Sequence, residues 1–492
     1  MTTISNRTLR RSGRKANYTN RPATQLWHVA AILLSIGLSL SLLFSIFSGS
    51  VPAITVTLSF APPLLICIYL SLAKETEIFH PLMFLALTVF FGVTIQTIFL
   101  HYLDEGNHRF AIGFRTDAES LLTAVVAIGI GVFFLIFGYA TGDRKVKNSE
   151  SRANWSLRRV YIVATILLLI GVCALAYYIT VFDVMDNFRN QFTVKRRFVD
   201  ENTGVSHTLG YIRLLVNFSQ LAFFIVYAAY LQSDQKPAGL KQFLFISAFA
   251  GIFMPFIASS RLGILTFILS AVMIHHFSTG GWSAKRLKFL GLLAIIVIVA
   301  MGGLRYAQNR GLTFDNYVAD VSIVDIVEPI IGSSSFLAVG KTASTIESVP
   351  ALIDYQYGRT YLLWLVAPVP RVYWPDKPII RIGAVLGEAI FGTTLRGGVP
   401  PGAIGELYLN FGWAGIPFGM FLFGFAFARF YRSYGSTAYV NKNKMLIYSI
   451  LVVFVVFTGM SADFSGMMSM ILQRLIPLWL ILKYITVKNS YQ

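Results

Sequence analysis

Apolar residues run along this chain in long uninterrupted blocks, unlike the alternating or amphipathic patterns of elements with one face in water. The blocks fall near 27–49, 51–73, 80–102, 118–140, 159–181, 208–232, 242–258, 262–278, 288–304, 403–428, 445–460 and 468–484. Each is about 17 to 25 residues long, enough for a helix rising 1.5 Å per residue to cross a hydrocarbon core of roughly 30 Å. The pattern predicts an all-α integral membrane protein of about twelve transmembrane helices. It divides the chain into a tail (1–26), nine helices (27–304), a long loop (305–402), three helices (403–484) and a short tail (485–492).

A loop of that length is functional or separately structured more often than not. It holds helix-like patches at 321–339 and 343–353 and an apolar piece at 361–369 that is too short to span. Pro368 and Pro370 bound that piece, and Tyr361, Trp364, Tyr373 and Trp374 suit the headgroup level, so the loop is expected to cap one face of the bundle.

Composition agrees: 55% of the 492 residues are hydrophobic and 13% charged, against about one-quarter charged in a soluble domain. Cys67 and Cys173 both lie in apolar blocks and offer neither a disulfide framework nor a thiolate metal site. The basic tail, with Arg7, Arg10, Arg11, Arg14, Lys15 and Arg21, runs into an apolar block without a small-residue cleavage site, the pattern of an uncleaved anchor.

Charge sets the topology. With the tail inside, the inner loops hold Arg144, Lys145, Lys147, Arg152, Arg158 and Arg159, then Lys285, Arg286 and Lys288, then Arg429, Arg432, Lys442 and Lys444, as the positive-inside bias requires. Both termini are then cytoplasmic and the long loop lies outside. The net charge of +18 follows from topology and anionic headgroups, with no need for nucleic acid.

Charges within the blocks are costly and mark functional sites by default. They are Arg213, Arg261, Glu406, Asp463 and Arg474, each predicted at the outer end of its helix or within about two turns of it; no comparable set marks the inner half. Snorkelling or structural ion pairing is the competing explanation. An excess of outer arginine suits a pyrophosphate-bearing lipid, because guanidinium stays charged and grips phosphate oxygens in pairs. Arg261, in Ser259-Ser260-Arg261, leads this set, and the loop adds Arg305 and Arg371. No Asp-x-Asp pair with metal spacing and no complete Gly-rich phosphate loop occurs, which points to metal-independent chemistry without a cofactor.

Glu406 is the first candidate for a base, followed by Asp463, Asp376 and His207, although an acid in a first helical turn also favours the helix dipole. Asn410, one turn on, is placed either to orient a sugar or to pair with a neighbouring helix. Tyr408, Trp374 and Trp413 suit sugar stacking or interface anchoring.

The most informative stretch is Pro370-Arg371-Val372-Tyr373-Trp374-Pro375-Asp376-Lys377-Pro378, then Gly397-Gly398-Val399-Pro400-Pro401-Gly402, then Gly405-Glu406-Leu407-Tyr408-Leu409-Asn410-Phe411-Gly412. This order resembles the Wzy-type oligosaccharide repeat unit polymerases, also called O-antigen polymerases. The Ser-Ser-Arg turn at Arg261 is similar too, and Arg381 to Gly392 fits an Arg, ten residues, Gly pattern described for some members. The motifs cover 259–261 and 370–415; elsewhere the likeness is of hydropathy and the long outer loop.

The resemblance implies transfer of a growing glycan from undecaprenyl pyrophosphate to another lipid-linked repeat, outside a bacterial cytoplasmic membrane. For such a reaction the residues singled out above supply a base at Glu406 or Asp463, pyrophosphate contacts from Arg261, Arg371, Arg305, Arg213 and Arg474, and glycan contacts from Asn410, Tyr408 and Trp374. Partners would be the lipid-linked oligosaccharide, membrane lipid, and a chain-length regulator and flippase of the same pathway. A lipid-linked glycan ligase shares the leaving group, and a transporter shares the many helices. Against a transporter stand the absence of an internal repeat and charges gathered near one face instead of the midplane.

Overall fold

The computed structural model of the protein describes residues 21–75, 77–102, 117–143, 153–181, 210–232, 239–257, 261–280, 292, 296, 336–369, 373–391 and 399–487. The helices are α1 (Arg21–Ser48), α2 (Val51–Leu72), α3 (Pro81–Tyr102), α4 (Ala118–Gly142), α5 (Leu157–Val181), α6 (Phe218–Gln232, preceded by Gly210–Val216), α7 (Leu240–Ile257), α8 (Arg261–Thr279), α9 (Val339–Ser348), α10 (Ile382–Phe391), α11 (Gly402–Phe430), α12 (Lys442–Ser461) and α13 (Phe464–Ile485). The extended pairing among the described residues is the two-residue contact of Asn154–Trp155 with Thr486–Val487. Nine of the described helices are long and apolar enough to cross a membrane, and α7 and α8 carry shorter apolar stretches. Of the predicted block at 288–304, Leu292 and Ile296 alone are among the described residues. The chain is an all-α polytopic membrane protein, the form in which backbone polar groups are satisfied within each crossing segment.

Local chemistry accounts for where the elements differ from the hydropathy blocks. Asp463 starts α13 four residues before the predicted 468, because its Oδ1 accepts the Gly466 N–H at 2.6 Å as an N-cap. The loop helix expected at 343–353 is Val339–Ser348; Val349, which precedes Pro350, is extended (φ −115°, ψ 125°) and ends it. The apolar piece at 361–369 belongs to a short 3₁₀ helix, Arg359–Val366. α3 and α12 each contain a π-helical turn, at Phe90–Ile95 and Phe454–Thr458.

α1 is peripheral, with Leu33, Leu40 and Phe47 exposed to what would be lipid. The densest packing joins α4 to α11, where Gly138 lies against the carbonyl of Phe421 and Gly424 against that of Leu135, so closely that a Cβ on either would collide. Such backbone approach is how apolar helices associate where lipid removes the hydrophobic drive. It fixes α11, whose first turns carry the site.

Candidate functional site

At the end of the bundle where residues 336–391 gather, α11 and α13 begin side by side and a loop segment is fastened across them. Glu406, in the second turn of α11, is buried, and both of its carboxylate oxygens accept hydrogen bonds. The Thr360 hydroxyl donates to Oε1 and the Phe464 backbone N–H to Oε2, each at 2.6 Å. Asn410, one turn on, is also buried. Its amide N–H groups donate to Thr360 Oγ1 at 2.8 Å and to the Glu406 carbonyl at 2.7 Å, and its Oδ1 accepts the Gly358 N–H at 2.8 Å. Thr360 therefore receives from Asn410 and gives to Glu406, an oriented relay.

Ser465 completes the seam: its hydroxyl donates to the Thr360 carbonyl at 2.6 Å and accepts the Trp364 N–H at 3.1 Å. The backbone of the same loop pairs with α11 through Gln356 N–H to Leu409 O and Tyr357 N–H to Asn410 O. Gly412 follows at φ 60°, ψ −152°, a conformation essentially confined to glycine, and turns α11 beneath this contact. Tyr361 stacks on Phe411 (centroids 6.4 Å apart, planes within 5°) and meets Phe464 edge-on at 5.0 Å.

The structure thus alters the expectation for Glu406. The carboxylate is not presented at an open loop boundary; its oxygens are occupied by the protein's own donors, and it holds the loop to two helices. Asn410 likewise pairs with neighbouring segments. Asp463, a residue before α13, is buried beside this node. Burial pushes its pKa above the ordinary aspartate value, opposed by the positive charge of Arg381 and by the Gly466 N–H. Arg381 is exposed, and its charge is felt at the buried Asp463 carboxyl.

Arg474 does not sit near its helix end. It lies ten residues into α13, about 15 Å along the axis, with its guanidinium 3.8 Å from the Phe454 ring centroid and Nη1 donating to the Met470 carbonyl. Tyr408 is buried edge-on against Trp413 and tilted against Tyr355, away from solvent, while Trp374 is exposed. Arg261 opens α8 and Arg213 lies in Gly210–Val216, but their side chains, and Arg305, Arg371 and His207 entirely, lie outside the described residues.

Sequence reasoning passed over Thr360 and Ser465, since a hydroxyl in a loop and one in a first helical turn carry no pattern of their own. It also weighed charges within the apolar blocks alone, and so did not consider the titratable residues that meet at the helix termini of the opposite end. There Glu77 lies 3.3 Å from His276 Nε2 and accepts the Tyr439 hydroxyl at 2.7 Å and the Phe79 N–H at 3.1 Å. His80 accepts the Leu82 N–H on Nδ1 and meets the Tyr139 hydroxyl through Nε2 at 2.9 Å. Burial pushes its pKa down to about 3, so the ring stays neutral. Nearby, Arg432 makes a two-pronged ion pair with Asp143. Hydropathy blocks conceal such residues because each lies at a helix terminus, where charge is unremarkable until several termini meet.

Among the described residues, no group of three or more His, Cys, Asp or Glu is arranged to hold a metal. A family model described as O-antigen polysaccharide polymerase Wzy matches residues 28–489. No curated protein and no solved structure matches the chain.

Proposed function

The chain belongs to the O-antigen polysaccharide polymerase Wzy family, a family of polymerases of lipid-linked repeat units, and from that premise we propose that it transfers a growing glycan from undecaprenyl pyrophosphate to the terminal sugar of another lipid-linked repeat. The match over nearly the whole chain carries this reading. The reaction runs at the loop-bearing end, facing outward from a bacterial cytoplasmic membrane with both termini inside; the basic residues of the opposite loops support that orientation.

In the proposed step an acceptor hydroxyl attacks the anomeric carbon of the donor glycan. The new C–O bond forms as the bond to the pyrophosphate breaks, the hydroxyl proton passes to a carboxylate, and the lipid pyrophosphate leaves with both bonding electrons. Asp463 is assigned as the proton acceptor, because it is the acid of this end that feels an exposed cation, whereas Glu406 has both oxygens engaged. Glu406 and Asn410 are positioning residues that hold segment 356–364 over the site. Arg213, Arg261, Arg305 and Arg371 are assigned to the pyrophosphate, and Trp374 to the glycan.

The test uses purified protein with a lipid-pyrophosphate-linked oligosaccharide from its host, resolved for a ladder of products. Wild type should give a ladder and Asp463→Asn should lower the rate by about 10²- to 10⁴-fold. An authentic substrate left unextended by folded wild-type protein would overturn the assignment.

A further inference from the structure

Thr360, Ser465, Asn410 and Glu406 all find hydrogen-bond partners within the seam that fastens the loop to α11 and α13. Tyr361, in the middle of that seam, does not: its hydroxyl is buried and has no hydrogen-bond partner within the protein. The residue as a whole is partly exposed, so its exposure lies on the ring and backbone while the polar tip points inward. Tyrosine ordinarily does the reverse, sinking its ring and giving its hydroxyl to a partner or to water. A buried donor left unanswered is costly, and in a native fold catalytic or binding use is among the reasons for keeping one.

The inward orientation is held from both sides. Tyr361 belongs to the short helix Arg359–Val366, where the adjoining Thr360 is tied to Glu406 and the Trp364 N–H to Ser465. Its ring lies between Phe411, parallel to it, and Phe464, edge-on. Access to the hydroxyl needs a side-chain movement of the kind common on binding, and the half-exposed Phe411 is the more open of the two walls. Burial and the neighbouring Glu406 hold the phenol pKa well above its ordinary value, so the group stays an O–H donor. The titratable group felt there is an acid, and no cation among the described residues contributes, which disfavours a phosphate. A neutral, hydroxyl-bearing ligand suits three aromatic rings with one polar tip.

We propose that the Tyr361 hydroxyl is a substrate contact, donating a hydrogen bond to a sugar hydroxyl of the lipid-linked repeat at the seam of segment 356–364. The inference rests on the polymerase reading and adds a residue to the glycan contacts. The recognised part is the neutral glycan, and neither the pyrophosphate nor the prenyl chain. A donor already stripped of water and of internal partners discriminates for a ligand that can accept its proton, because a ligand without that acceptor leaves the donor unpaired.

The experiment combines a variant with a spectroscopic probe, both in the full chain in phosphatidylcholine nanodiscs. Tyr361→Phe removes the hydroxyl alone. It should unfold at or above the wild-type temperature, since no internal hydrogen bond is lost, and should raise KM for the lipid-pyrophosphate-linked oligosaccharide about three- to tenfold with kcat within about twofold. Meta-fluorotyrosine incorporated at Tyr361 should shift its fluorine resonance on addition of that oligosaccharide, and not on addition of geranylgeranyl pyrophosphate, which carries lipid and pyrophosphate without sugar. An unmoved KM overturns the proposal, as does an equal resonance shift with the sugar-free lipid. A lowered unfolding temperature with an unmoved KM identifies a trapped water as the partner and overturns it too. Should Tyr361→Phe not fold, the resonance decides, since no shift with the oligosaccharide refutes the contact. Wild type that makes the product ladder while the resonance stays still fails this inference alone; wild type that neither binds nor extends the oligosaccharide fails the polymerase reading as well.

Discussion

Glu406 separates a positioning role from a catalytic one, because its two oxygens accept from two different segments. Glu406→Ala removes both acceptors and leaves the Thr360 hydroxyl and the Phe464 N–H buried without partners. At about 1–3 kcal/mol for each orphaned donor, the loss of stability is roughly 2–6 kcal/mol. Glu406→Gln keeps one oxygen for the Phe464 N–H and turns its amide N–H toward Thr360 Oγ1, whose two lone pairs accommodate it beside Asn410. One hydroxyl proton is then misdirected, at about 1–2 kcal/mol. Thermal unfolding of detergent-solubilised protein should therefore rank wild type above Glu406→Gln and Glu406→Gln well above Glu406→Ala. In the ladder assay Glu406→Gln should retain activity within about tenfold of wild type, since a base of this kind contributes about 10²–10⁴ when it acts directly. A Glu406→Gln protein that unfolds near wild type yet makes no ladder would refute the positioning role and make Glu406 the proton acceptor.

Asp463 titrates above its ordinary value through burial, so the polymerisation rate should rise with pH through that raised pKa, and the acid limb should vanish from the residual activity of Asp463→Asn. Stability runs the other way: the folded state favours the proton, so this contribution is fully present below the unfolded aspartate pKa and is lost as pH rises through the folded one, a slope that pH-dependent thermal unfolding should find flattened in Asp463→Asn. Arg381 lowers the Asp463 pKa, so Arg381→Ala should move the acid limb of the rate profile to higher pH and Arg381→Lys should restore it; an unmoved limb would exclude that influence. Gly412→Ala forces a side chain into φ 60°, ψ −152° and should cost about 1–3 kcal/mol, read as a lower unfolding temperature, whereas wild-type stability in that variant would show that α11 straightens at no cost.

The helical, membrane-spanning architecture was legible in the linear chain because lipid imposes a length and a composition on every crossing segment, and both are local properties. The blocks at 118–140 and 403–428 correspond to α4 and α11 within a few residues. Cap chemistry, also local, explains the early start of α13 at Asp463. Glu406, Asn410 and Asp463 were recognisable as candidates because charged or amide groups in apolar runs are costly and therefore conspicuous. Their roles were not recognisable. Which donors reach Glu406 depends on Thr360, 46 residues away in sequence, and on the Phe464 N–H, 58 residues away. The burial of Lys341 in a helix of ordinary polarity depends on the walls that α3, α4 and α11 supply. The Glu77, His276 and Tyr439 cluster draws on three separate helix termini. Local composition determined where the chain enters lipid. Only tertiary structure decided which polar groups are satisfied, because a hydrogen bond needs two partners within about 3 Å and residue order carries no distance between them.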